Sequence, residues 1–198
     1  MHPTQVAKPF HRDGWVYEEK YDGWRMVAYK HGVQVRLISR AGRDHTRRFP
    51  HLVAAIASLS PSTLILDGEV CIFDHQLISR FEWLRARPKD QTATPPLFMA
   101  FDCLRINAHD LRSQDLQDRR SHLEQVVENE GLILPARRLA EDGLKAWEQV
   151  IESGYEGLVA KDATSPYLAG RSLTWLKVKV PNYREIERGW GAKSSKAH

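Results

Sequence analysis

Between residues 15 and 38 the chain alternates apolar and polar side chains in three short runs, 15–20, 24–30 and 33–38, interrupted by Asp22-Gly23 and His31-Gly32. Period-two alternation suits a strand with one buried face and cannot form the single apolar stripe of a helix. Asp-Gly between such runs is a strong hairpin signal, because glycine accepts the positive φ that a tight turn requires. These residues therefore read as a β-meander, with Lys20 at a strand end beside its first turn. On this evidence alone Lys20 is an ordinary solvated lysine.

The rest of the chain extends the same architecture. An arginine-rich loop carrying Arg36, Arg40, Arg43, Arg47 and Arg48 leads to a short helix over 51–59, where Leu52, Ala55, Ile56 and Leu59 have helical spacing and Pro61 ends it. Leu64-Ile65-Leu66 and Val70-Cys71-Ile72-Phe73 are strand-like runs on either side of Asp67-Gly68-Glu69. Residues 85–96 are polar and proline-containing and read as a surface loop. The run 97–104, apolar except for Asp102, reads as a strand buried on both faces. Helices are expected over 113–129, stopped by Gly131, and over 142–153, stopped by Gly154. Strands follow over 156–161 and 173–180. Strands outnumber helices and turn-linked neighbours dominate, which gives an α+β fold of antiparallel β-sheets flanked by helices. The expected organisation is one domain over 1–183 and a basic C-terminal tail over 184–198.

Composition narrows the partners. The 198 residues carry a net charge of +4, which favours a polyanionic partner. The arginine-rich loop and the basic residues Lys177, Lys179, Arg184, Arg188, Lys193 and Lys196 concentrate that charge. No apolar run approaches the about 20 residues of a spanning helix, and Met1-His2-Pro3-Thr4-Gln5 lacks a signal-peptide pattern, so no membrane role and a cytoplasmic location are expected. Cys71 and Cys103 lack Cys-x-x-Cys spacing and read as buried free thiols. The nine histidines have no zinc-type spacing.

Strand parity sorts the charges. Glu18 shares a face with Lys20, Lys177 with Lys179, and Asp67 with Glu69 if that stretch is extended. Lysines (Lys20, Lys177, Lys179 and Lys161), carboxylates (Glu69, Glu156 and Asp22) and a strand bearing Phe98 and Phe101 would together supply a nucleotide pocket: cations for phosphates, carboxylates for a hard divalent cation, a ring for a base. A lysine desolvated among other cations can also act as a nucleophile. Lys161 has opposite parity to Glu156 and ranks below Lys177.

Lys20-Tyr21-Asp22-Gly23-Trp24-Arg25 resembles the Lys-x-Asp-Gly-x-Arg signature of the covalent nucleotidyltransferases, the ATP-dependent DNA and RNA ligases and mRNA capping enzymes. Further motifs follow in that family's order: Ser39-Arg40-Ala41-Gly42, Leu66-Asp67-Gly68-Glu69-Val70, Phe98-Met99-Ala100-Phe101-Asp102, Glu156-Gly157-Leu158-Val159-Ala160-Lys161 and Trp175-Leu176-Lys177-Val178-Lys179. The wording, including Tyr167-Leu168-Ala169-Gly170-Arg171, is most similar to the ligase module of bacterial end-joining, ligase D-type DNA ligases. The resemblance implies the nucleotidyltransferase fold, ATP as cosubstrate with AMP held covalently on Lys20, and Mg2+ or Mn2+. It implies catalytic roles for Lys20, Lys177 and Lys179, with the last two neutralising the α-phosphate. Glu18 would accept from the adenine amino group, Phe101 would stack on adenine, and Arg25 and Arg40 would meet ribose and nucleic-acid phosphate. Glu69 and Glu156 would hold the metal or the ribose.

The implied partner is nicked or broken duplex DNA. The oligonucleotide-binding (OB-fold) domain that follows in family ligases has no room in this chain, so an OB-fold or end-joining repair partner is expected to supply it. RNA ligation, GTP-dependent capping and non-catalytic binding of nucleic-acid ends are the alternatives.

Overall fold

The computed structural model describes residues 1–86, 92–128 and 130–183. In chain order its strands are β1 His2–Gln5, β2 Trp15–Glu19, β3 Trp24–His31, β4 Gln34–Ser39, β5 Thr63–Cys71, β6 Leu97–Ile106, β7 His109–Asp110, β8 Ile133–Pro135, β9 Gly157–Asp162 and β10 Arg171–Lys179. Its α-helices are α1 Pro50–Ser58, α2 Leu116–Val127 and α3 Gly143–Ser153. Two sheets result: a four-stranded one ordered β1-β10-β9-β2, and a six-stranded one ordered β4-β3-β5-β6-β7 with β8 also on β6. Neighbours are antiparallel except for the parallel pairs β1 with β10 and β6 with β8.

The expected meander is only half present. The chain does turn back at Gly32, whose φ is 56°, and β3 pairs with β4. At Asp22-Gly23 there is no hairpin: β2 pairs with β9, and the chain then crosses to the other sheet as β3. Gly23 is needed for close approach. A Cβ there would lie 2.4 Å from the Val70 carbonyl oxygen and 2.8 Å from Glu69 Cγ. Asp67-Gly68-Glu69 is likewise not a break, since β5 runs straight through it; a Cβ on Gly68 would meet the Phe98 ring at 2.6 Å.

Each sheet buries its outward face beneath helices. On the six-stranded sheet Met26, Ala28, Leu37, Leu64, Leu66, Val70 and Phe98 pack against Leu52 and Ile56 of α1 and Leu123 and Val127 of α2. On the four-stranded sheet Tyr17, Leu158, Ala160 and Val178 pack against Ala146 and Val150 of α3. Phe98 is therefore core, three residues and half a pleat away from Phe101. The helices start and stop where chemistry provides ends. Pro50 opens α1, while Asp142 accepts from the backbone N–H groups of Leu144 and Lys145 and Gly154, with φ of 71°, closes α3. The expected end of the second helix at Asn129 and the basic tail over 184–198 lie outside the described residues. Cys71 and Cys103 are buried and free, as their spacing predicts.

Candidate active site

With the helices outside, the inner faces of the two sheets look at one another, and Lys20 stands where the chain passes between them. Its backbone N–H donates to the Gly157 carbonyl at 3.0 Å. Its Nζ donates to Glu156 Oε2 at 2.6 Å, and Lys179 Nζ donates to Glu156 Oε1 at 2.7 Å. Glu156 is 3% exposed and thus bridges two lysines with both oxygens. Glycine follows it because a Cβ at position 157 would sit 2.1 Å from the Val178 carbonyl oxygen. Lys177 reaches the same region. Desolvation lowers its pKa, and the charges of Lys20, Lys179 and Arg40 lower it further. Arg40 is exposed just beyond β4.

Across the cleft, β5 contributes Asp67 and Glu69. Register sets Arg25 opposite Glu69. Arg25 grips Asp67 bidentately at 3.1 and 2.6 Å, and the Tyr167 hydroxyl donates to Asp67 Oδ2 at 2.7 Å. Burial pushes the Glu69 carboxyl up to about 8, against the pull of Lys20 and Arg25 and reinforced by the charges of Glu156 and Asp67. Glu69 is therefore a carboxyl whose charged form burial disfavours until a further cation arrives. That suits a hard cation held by few protein oxygens together with substrate phosphates, as Mg2+ commonly is. Among the described residues no group of three or more histidine, cysteine or acidic side chains forms a metal cage.

The floor of the cleft is a different kind of site. Glu18 Oε1 accepts from Arg120 Nη1 at 2.9 Å and its Oε2 accepts from Lys161 Nζ. Lys161 Nζ lies 4.2 Å from the Trp175 ring centroid and 4.8 Å from that of Phe101, with Arg25 Cζ 5.2 Å from the Phe101 centroid. Phe101 is thus flanked by two cations and meets Trp175 edge to face at 5.9 Å. Arg119 pairs bidentately with Asp102 at 2.8 Å per bond, both fully buried.

The structure brings together Lys20, Glu156, Lys177 and Lys179 at the mouth, Arg25 and Glu69 opposite, and Glu18, Phe101 and Lys161 at the floor. Lys161 belongs with them despite the parity argument, because Glu156 precedes the regular strand β9 and its parity does not carry into it. Asp22 is buried where the chain crosses between sheets, its N–H donating to Ser79 Oγ at 2.9 Å. Asp67, Arg119, Arg120 and Tyr167 were not singled out as site residues. One signal was available for the arginines. They lie three and four positions from Leu116 and Leu123, on the apolar stripe of α2, where a charge needs a buried partner.

The sequence model of the family described as ATP dependent DNA ligase domain matches residues 2–179. The chain belongs to this family. Among the ligase domain's relatives, the multifunctional non-homologous end joining protein LigD of Mycolicibacterium smegmatis is 34% identical over 187 residues, covering 91% of this chain and 24% of that protein. The LigD protein of Pseudomonas aeruginosa is 34% identical, covering 88% of this chain and 21% of its own length. The chain thus spans about a quarter of the length of these curated relatives. The ligase domain of LigD from M. tuberculosis superposes with a TM-score of 0.76 at 30% identity, covering 90% of this chain and 60% of that one. The ligase-domain fold of two mainly antiparallel sheets with outer helices agrees with the α+β expectation.

Proposed function

We propose that residues 1–183 are an adenylation domain that takes AMP from ATP onto Lys20 and passes it to a 5′-phosphate at a DNA nick or break during repair by end joining. The observation that carries this reading is the Lys20–Glu156–Lys179 bridge at the mouth of the cleft. Glu156 Oε2 is 2.6 Å from Lys20 Nζ, within reach to accept the proton that the amine must lose before it can attack. The neutral Nζ forms a bond to the α-phosphorus of ATP while the bond from that phosphorus to the bridging oxygen breaks, and pyrophosphate leaves. Lys177 and Lys179 stabilise the charge on the α-phosphate oxygens, and the cost of confining them beside Lys20 is recovered when that anion arrives.

Arg25, fixed by Asp67, meets the ribose, Phe101 packs on the adenine, Glu18 accepts from its amino group and Arg40 meets nucleic-acid phosphate. Glu69 is the protein's main oxygen donor for Mg2+ or Mn2+, with Glu156 adjoining. The metal, when bound, neutralises phosphate charge.

Incubating the chain with ATP or GTP labelled at the α-phosphate, with Mg2+, tests the reading. Covalent label from ATP is expected and should be absent in Lys20→Ala, with transfer to nicked DNA in preference to nicked RNA. Label from GTP alone would assign a capping-type reaction, and no label from either nucleotide would leave a non-catalytic end-binding module.

A further inference from the structure

The inner face of the six-stranded sheet continues past the site. Register puts Val27 opposite both Asp67 and Ile38, Tyr29 opposite both Ile65 and Arg36, and Ile65 opposite Arg105. Side chains two positions apart share a face, so Ile65 and Tyr29 lie on the surface that carries Glu69 and Arg25. At the Arg25–Asp67 end that surface meets Tyr167, which leads into β10. Farther along it opens to solvent, where Tyr29 is 43% exposed and the Arg36 side chain 68%.

A shallow depression of about 660 Å³ lies there, lined by Tyr29, His31, Arg36, Ile65, Arg105 and Asn107 among others, and no lining residue is acidic. Both guanidiniums are anchored through Nε, Arg36 to Asp44 Oδ2 at 3.3 Å and Arg105 to the Asn107 carbonyl at 3.1 Å. Four residues of strand, from Glu69 to Ile65, span about 13 Å at about 3.3 Å each, which is about four base-pair steps of about 3.4 Å.

We propose that this open end of the sheet is a track for the DNA backbone on one side of the break. Arg36 and Arg105 each meet a phosphate about four base pairs from the reacting one, and Tyr29 packs on the sugar between them. The assignment rests on the ligase reading given above. Its own support is the placing of two arginines on a face continuous with the Lys20 site, with no carboxylate in the lining itself and Asp44 beside Arg36 and Asp110 in register with Arg105 just outside it. Tyrosine and arginine also mark protein-docking patches, and the dependence of binding on salt tells the two apart.

The test is binding of a fluorescent nicked duplex across a salt series, with Lys20 self-labelling measured in parallel. For the double variant R36Q/R105Q we expect binding about tenfold weaker and a salt slope reduced by about two, with unchanged self-labelling. Gln34→Arg, which adds a cation to the same depression, should tighten binding and steepen the slope by about one. Unchanged affinity and slope in the double variant would overturn the proposal and leave the face to a protein partner. Failure of the unaltered, self-labelling chain to bind the nicked duplex would overturn it too. Loss of self-labelling in the unaltered chain would instead strike the proposed reaction, while the duplex titration still reads this face.

Discussion

The mouth and the floor of the cleft are built from the same kinds of residue and are electrostatically unlike. At the floor three cations meet three carboxylates: Arg119 pairs with Asp102, and Lys161 and Arg120 share Glu18 while Arg120 also reaches Glu124. At the mouth, Lys20, Lys177 and Lys179 share essentially one carboxylate, Glu156, while burial holds the Glu69 carboxyl up at about 8 despite Lys20 and Arg25. The charges of the floor are matched without a ligand, so what it offers an uncharged base is the Phe101 ring and the remaining lone pairs of Glu18. The mouth lacks an anion at the lysines and a cation at Glu69, and a metal-bound nucleotide phosphate supplies both. A charge cluster that stays mutually dissatisfied marks the place for a charged ligand, whereas an equally dense satisfied one needs none.

The largest effect expected from this contrast is at the floor. Arg119→Met leaves Asp102 buried and unpaired and should cost about 3–5 kcal/mol in a denaturant titration, with Asp102→Asn milder. A loss below about 1 kcal/mol would break the comparison. At the mouth, Lys179→Met should slow self-labelling about 100-fold yet change stability by less than about 1 kcal/mol, because Lys179 is a third exposed and Lys20 still answers Glu156.

Gly23→Ala forces a methyl group against Val70 and Glu69 and should cost about 1–3 kcal/mol in the same titration, with labelling impaired through Glu69.

The smallest effect is in pH. Glu69 and, by burial against the pull of Arg137, Glu19 have folded pKa values of about 8 and about 7, above the ordinary 4.5. Between those limits the folded state holds more protons than the unfolded one, so stability is greatest at low pH within the window and is lost as pH rises through it. Glu69→Gln should therefore raise Tm by about 2–4 °C at pH 8.5 and by little at pH 5. An equal gain at both pH values would count against the mouth being short of a cation.

Much of this was legible in the sequence where the signals are local. Asp142 and Gly154 bracket α3 because a cap and a left-handed residue act within one turn. Parity put Lys177 with Lys179, since side-chain direction is a property of the strand itself. What escaped depends on distant pairing. Asp-Gly serves equally as a turn and as a gap for a neighbouring strand, and only the pairing of β2 with β9 and of β3 with β5 decides between them at Gly23. Arg120 was invisible as a partner of Glu18 because the two are 102 positions apart.

The crossing at Asp22-Gly23 has a mechanical consequence. Lys20 is tied by its backbone to the Gly157 carbonyl of the four-stranded sheet, and four residues later the chain is locked into the six-stranded one. The nucleophile therefore sits on the strap that joins the two halves, so any narrowing or widening of the gap between the sheets is transmitted directly to its amine.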